Sequence, residues 1–183
     1  MAAIPPVCEF DWPAPDFDLP GVDGDRYSPA STNGEKGLLV MFICNHCPYV
    51  QSIIKRLVRD CRELKEEGIN SIAIMSNDVV NYPDDSFENM QRLAKELNFS
   101  FPYVFDETQE VARAYNAICT PDFFGFNTDL KLQYRGRFDE AGRDPESPGN
   151  YRDLFEAMKR VAQTGKGPAE QQASIGCSIK WKT

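Results

Sequence analysis

A continuous apolar run from Gly37 to Ile43 ends at Cys44-Asn45-His46-Cys47-Pro48, and an amphipathic segment starts immediately beyond it. The run has the length of a strand covered on both faces, and the turn residues Asn33 and Gly34 precede it. After Pro48 the apolar positions Val50, Ile53, Ile54, Leu57, Val58, Cys61 and Leu64 recur at helical spacing until Gly68. A buried strand that feeds such a helix points to an α/β architecture.

The rest of the chain agrees with that start. Ile69 to Met75 repeats the buried-strand pattern, and Asn77 to Asp84 is predicted as a loop. Asp85 with Glu88 resembles a capping box for a helix that turns Phe87, Met90, Leu93, Ala94 and Leu97 inward. A short strand over Phe101 to Phe105 precedes a brief helix carrying Val111, Ala114, Tyr115 and Ile118, which Cys119-Thr120-Pro121 interrupts. Asp122 to Phe126 and Lys131 to Phe138 are expected to form an antiparallel hairpin across Asn127 to Leu130. Beyond a polar loop from Asp139 to Gly149, a last helix carries Leu154, Phe155, Met158, Val161 and Ala162, with Asn150 as its N-cap and Gly165 past its end. Near the start, the Pro-, Asp- and Gly-rich stretch Phe10 to Tyr27 suggests a small hairpin with β-prone pieces around Phe17 and Arg26-Tyr27. Together these elements imply one domain over residues 1–183 with a mixed sheet covered on both faces, an extension over about 1–36 and a tail over about 166–183.

A chain of 183 residues buries a core without disulfide staples, so its six cysteines are free for chemistry. Twenty basic against 28 acidic side chains give a formal charge of -8, and the basic residues are scattered. That balance repels a phosphate backbone and argues against nucleic acid as a partner. No stretch reaches the about 18 continuous apolar residues that a membrane helix needs. Met1 to Asp16 shows neither a charged leader nor an apolar run, and the expectation is a mature cytoplasmic protein.

Cys44 and Cys47 lie where a buried strand hands over to a helix, the context in which C-x-x-C reads as a redox pair. Free N–H groups and the positive end of the helix dipole stabilise a thiolate there. Cys44 is therefore expected to ionise more readily than a free cysteine, with His46 adding a charge or a hydrogen bond and Cys47 resolving. Two other uses of the motif fit less well. Zinc generally takes four ligands and the chain offers no second C-x-x-C or histidine pair, while Pro48 stands where c-type haem attachment needs histidine. Neither metal nor cofactor is expected.

Thr120-Pro121 falls at a tight turn, where the peptide bond is either an ordinary trans bond or one of the cis bonds that are essentially confined to X-Pro. Cys119 beside it is a small buried hydrophobe or a third thiol, and Cys177 is a resolving or regulatory thiol or a residue docked under Trp181. Cys61 belongs to the apolar helix stripe, and Cys8 carries no assigned role.

The strand, the Cys44-Asn45-His46-Cys47-Pro48 run, Thr120-Pro121 and the hairpin-helix ending together resemble the thioredoxin-fold superfamily. Ala14-Pro15-Asp16-Phe17, Tyr27-Ser28, the Cys47 region and Phe105-Asp106 look like its alkyl hydroperoxide reductase/thiol-specific antioxidant branch, over roughly Pro13 to Phe138. The Cys-Asn-His-Cys-Pro run and the Gly176-Cys177-Ser178-Ile179-Lys180-Trp181 ending are similar to the peroxiredoxin-like 1 group. The resemblance implies a three-layer α/β/α thioredoxin fold with a mixed central sheet and an N-terminal β-hairpin extension. It further implies Cys44 as attacking thiol, Cys47 as its partner and Thr120-Pro121 as a cis-proline loop presenting substrate backbone, with Asn45 and Pro48 also on the substrate side. The chain departs from these relatives as well. Val40 and Cys44 occupy the positions where peroxiredoxins place Pro and Thr or Ser ahead of the peroxide-attacking cysteine, and Leu38 stands where thioredoxins keep a buried Asp.

Thiol–disulfide exchange is the leading expectation, with protein or small-molecule disulfides and thiols as substrates and an external thiol as reductant. A thiol peroxidase is the second, with Cys47 oxidised by peroxide and Cys44, Cys119 or Cys177 resolving it. A non-catalytic redox sensor or binding module is the third. All three need the two sulfurs within bonding reach, and the enzymatic ones need them open to a substrate.

Overall fold

A computed structural model describes all 183 residues. Its central sheet contains β4 (Gly37–Phe42), β5 (Ile69–Met75), β6 (Tyr103–Phe105), β8 (Asp122–Phe126) and β9 (Leu132–Tyr134), in the order β6-β5-β4-β8-β9. Strands β4, β5 and β6 run parallel, while β8 pairs antiparallel with both β4 and β9. The sheet is therefore mixed, with β4 at its centre. That position explains the uninterrupted apolar run: every residue of β4 is buried, and alternate side chains enter opposite layers.

Leu39, Met41 and Ile43 join a cluster with α2 (Pro48–Glu66), α5 (Asp153–Thr164) and Met90 of α3 (Phe87–Glu96). Leu38, Val40 and Phe42 join another with Phe17, Phe124, Tyr115 and Ala112 of α4 (Glu110–Ala114). The α2 stripe from Val50 to Leu64 is buried as its spacing predicts, and each of its large aliphatic side chains contributes about 1.5–3 kcal/mol. The extension forms a small hairpin, β2 (Leu19–Pro20) with β3 (Arg26–Tyr27), followed by the short helix α1 (Pro29–Thr32). The hairpin's first strand thus lies at Leu19, just beyond Phe17.

A second, three-stranded sheet joins β1 (Ala2–Ala3), β10 (Gly176–Ser178) and β7 (Cys119–Thr120) in the order β1-β10-β7. The sequence reading had no counterpart for it.

Three local expectations change. Asp85 does not cap α3: it closes a 3-10 turn (Pro83–Asp85), and Ser86 is the N-cap, its side chain accepting from Asn89 N–H. Asn150 does not cap α5, because its amide donates to Asp139 and Arg152 takes the cap position. The last hairpin strand ends at Tyr134 rather than Phe138, since the Arg137 N–H donates to the Gln172 carbonyl instead of the sheet.

Candidate active site

Cys44 lies just beyond β4, and Cys47 is the N-cap residue of α2, with Pro48 in the first turn. Pro48 suits that place because its missing N–H has no intrahelical partner to lose. The nearby Cys47 sulfur raises the Cys44 thiol, together with burial and the nearby Asp85 charge. Cys47 moves the other way, down to about 4. The Cys44 thiol is the largest cause, and Cys177, the Val50 amide and Thr120 add to the lowering, which outweighs burial. These directions favour Cys47 as the more acidic thiol, where the sequence favours Cys44. Cys47 stands at the cap position, at the positive end of the α2 dipole, whereas Cys44 stands before the helix and lies near the Asp85 carboxylate.

Asp85 organises the loop around the motif, and its side chain is fully buried. Its Oδ1 accepts from the backbone N–H of Asn45 at 2.7 Å and of His46 at 3.2 Å. Its Oδ2 accepts from Asn77 Nδ2 at 2.8 Å and lies 2.6 Å from His46 Nδ1. That contact fixes the His46 proton on Nδ1. His46 consequently spends its hydrogen bond on Asp85 rather than on Cys44, and its ring stacks on Tyr82 with centroids 5.8 Å apart. Asn45 is committed internally, donating to the Asp84 carbonyl and accepting from the Tyr103 hydroxyl at 2.9 Å.

Thr120 meets both sulfurs. Its Oγ1 is 3.3 Å from Cys44 Sγ, and its carbonyl oxygen is 3.1 Å from Cys47 Sγ. The Thr120-Pro121 bond is cis, as the resemblance implies. Pro121 also borders an apolar cleft of about 70 Å³ with Tyr49, Ile53, Phe138 and Ile175. Cys119 is fully buried with its thiol 3.5 Å from the Pro121 carbonyl, and burial raises its pKa. Cys61 is core, and Cys8, in the extension, packs half-buried against the second core cluster. Cys177, by contrast, packs against the cluster that holds Cys44 and Cys47.

The site thus unites Cys44, Asn45, His46, Cys47, Thr120, Pro121 and Cys177, while Cys119 faces away and Pro48 is exposed. The sequence reading missed Asp85, Asn77, Tyr82 and Tyr103 as members. Access departs most from expectation: Cys44 is only 1% exposed and Cys47 is 0% exposed. Three potential metal donors, from Cys44, His46 and Asp85, lie within 4.8 Å of one another. Three ligands are fewer than a closed zinc site uses, and two of these are already paired to each other.

A thioredoxin-type sheet with two coupled thiols at a helix start, facing a cis-proline turn, defines a thiol redox site. The AhpC/TSA family profile matches residues 11–135, and the chain belongs to that family. Among solved structures, an uncharacterized conserved protein from Geobacillus kaustophilus is 41% identical, with a TM-score of 0.93 over 100% of this chain and 97% of that one. A hypothetical protein from Sinorhizobium meliloti 1021 is 35% identical, with a TM-score of 0.86 over 96% of each chain. A thiol:disulfide interchange protein from Chlorobium tepidum TLS shares the fold at 20% identity, with a TM-score of 0.59 over 82% of this chain and 93% of that one. No curated protein matches the chain. Family and site together support a thiol-based redox activity, either disulfide exchange or peroxide reduction.

Proposed function

We propose that this protein is a thiol–disulfide oxidoreductase in which Cys47 is the attacking thiolate and Cys44 the resolving thiol. The position of the two sulfurs carries this reading, because Cys47 stands at the N-cap of α2 while Cys44 lies before the helix, close to the Asp85 carboxylate. The Cys47 thiolate attacks a substrate disulfide, one substrate sulfur leaves as thiolate, and a mixed disulfide forms. Cys44 then attacks the Cys47 sulfur, releases the second substrate thiol and leaves Cys44–Cys47 oxidised. Placing both thiols at one helix start makes that second step intramolecular. An external thiol returns the pair to the dithiol form, and protein or small-molecule disulfides in the cytoplasm are the substrates. Because Cys47 has no exposed surface, its cover has to move before a substrate arrives.

Cys44→Ser and Cys47→Ser test both the order and the activity. Cys44→Ser should trap substrate on Cys47, and Cys47→Ser should lose substrate capture by on the order of a thousandfold, equivalent to about 4 kcal/mol of barrier. Trapping in Cys47→Ser instead would restore Cys44 as the attacking thiol. Undiminished disulfide reduction by both variants would show that this pair does not carry the reaction.

One observation also favours a thiol peroxidase: the lowered thiol is Cys47, the residue that this second reading has attacking peroxide. Consumption of hydrogen peroxide by the reduced protein, lost in Cys47→Ser, distinguishes it from exchange alone.

A further inference from the structure

Strand β10 pairs antiparallel with β7, and the register sets Cys177 opposite Thr120 and Ser178 opposite Cys119. Residues directly opposite on an antiparallel pair share a face, with Cβ atoms about 4.5–5.5 Å apart. The Thr120 hydroxyl is on the Cys44 sulfur, so Cys177 shares the face of the reactive pair. Cys119, one position earlier, points to the other face by the strand's alternation. Cys177 also packs against the core cluster that holds Cys44 and Cys47, and its nearness adds to the lowering of the Cys47 thiol.

The docking is built into this segment. Gly176 leaves no space for a Cβ, which would collide with the Thr120 carbonyl, so glycine permits the close approach. Ser174 Oγ donates to the Pro121 carbonyl at 3.2 Å, and the Ile179 N–H donates to Ile118 O at 3.1 Å. On its far side β10 pairs with β1.

We propose that β10 is a built-in occupant of the β7 edge and that Cys177 forms a latching disulfide with Cys47. This rests on Cys47 being the exchanging thiol. The mixed disulfide between Cys47 and substrate has two neighbouring thiols that can resolve it. When Cys177 does so, its sulfur bonds to Cys47, the Cys47–substrate bond breaks, and the substrate sulfur leaves with the proton that Cys177 gives up. The electron pair that reduces the substrate comes from Cys47 and Cys177, and the product holds β10 covalently across the site until a thiol reduces it.

Reduced protein is treated with dithiodipyridine, alkylated with N-ethylmaleimide, digested with trypsin and mapped by mass. Wild type should yield peptide Gly37–Lys55 joined to Gly167–Lys180, and in Cys44→Ser this should be the dominant product. A Cys44→Ser protein that keeps the pyridyl adduct on Cys47 while Cys177 is alkylated overturns the latch. Wild type with Cys44 linked to Cys47 and no joined peptide refutes the latch in that form and leaves the exchange activity standing. Absence of any adduct or disulfide at Cys47 overturns both. Gly176→Ala provides a second reading without touching a thiol. It should lower the joined-peptide yield severalfold and speed alkylation of Cys47 about tenfold by releasing the strand. Unchanged values for both quantities would show that β10 does not control Cys47.

Discussion

Two segments close over the same pair of sulfurs, and different physics holds each in place. On one side, the loop from Asn77 to Asp85 converges on one buried carboxylate that takes two backbone and two side-chain contacts. On the other, β10 is held by short main-chain pairing, by Ile179, 4% exposed, in the second core cluster, and by Lys180, whose N–H donates to Asn77 Oδ1 and whose carbonyl accepts from the Asp78 N–H. A charged group with all its partners satisfied is costly to disturb piecemeal, since each broken contact leaves a buried polar group unpaired. A short strand can detach as a unit and pair with water. The loop therefore maintains the geometry of Asn45 and His46, while the strand serves as the removable cover.

Asp85→Ala should have the largest effect on stability. It strands the four donors around the carboxylate, and urea unfolding should show a loss on the order of 3–5 kcal/mol. A loss under about 1 kcal/mol would mean that the loop is no firmer than the strand and would end the contrast. Ile179→Ala removes the main apolar anchor of the cover and should cost up to about 2–4 kcal/mol. Its distinguishing sign is kinetic, because Cys47 alkylation should accelerate out of proportion to the global loss. Equal acceleration in Asp85→Ala and Ile179→Ala variants matched for stability would show that exposure follows global unfolding alone.

The thiol pair sharpens the comparison through pH. Nearby donors lower the Cys47 thiol from its ordinary 9.0 to about 4. Between those limits the unfolded chain binds one more proton at this site, so its stabilisation grows as pH rises and disappears as pH falls through about 4. Cys44, raised by the nearby Cys47 sulfur, acts only above its unfolded value, where it opposes folding. The stability difference between wild type and Cys47→Ser should therefore be larger at about pH 8 than at about pH 5. Thiolate ultraviolet absorbance should titrate near 4, and Cys177→Ala should move that midpoint upward by removing a donor. A midpoint near 9.0 would leave Cys47 without its assigned role.

Much of this was legible where the signal was local. The apolar run of β4, the stripe of α2 and the C-x-x-C between them are each contained in a short window, and the structure follows all three. Thr120-Pro121 was legible as a turn, but its contact with both sulfurs depends on sheet topology. Asp85 was misread because Asp84, Asp85 and Ser86 can all cap a helix, and the local pattern does not rank them. Its contacts with Asn45 and His46 arise only when β4 and β5 pair in parallel and bring their ends together. Which thiol of the pair is the more acidic was not legible for a similar reason. A helix-start argument favours whichever sulfur stands at the cap, and the boundary at Cys47 rather than Cys44 decides it. The cover was hidden because the two- and three-residue strands β7 and β10 have no periodicity long enough to recognise.

The smallest expected effect is also the most discriminating for the cover. Trp181 lies beyond β10, and the Arg113 guanidinium sits 4.4 Å from its ring centroid, a partly exposed contact that contributes about 0.5–1 kcal/mol. Arg113→Ala, which removes that contact and leaves Trp181 packed on the second core cluster, should barely move the urea midpoint. It should nonetheless speed Cys47 alkylation by about two- to fivefold, because the whole of that small loss falls on the equilibrium between docked and released strand. Removing the exposed Arg92–Glu96 pair on α3, which contributes about 0.3–0.5 kcal/mol, has no path to that equilibrium and should leave the alkylation rate unchanged. If the two variants behave alike, β10 does not open as a unit of its own, and Cys47 is reached only when the molecule unfolds.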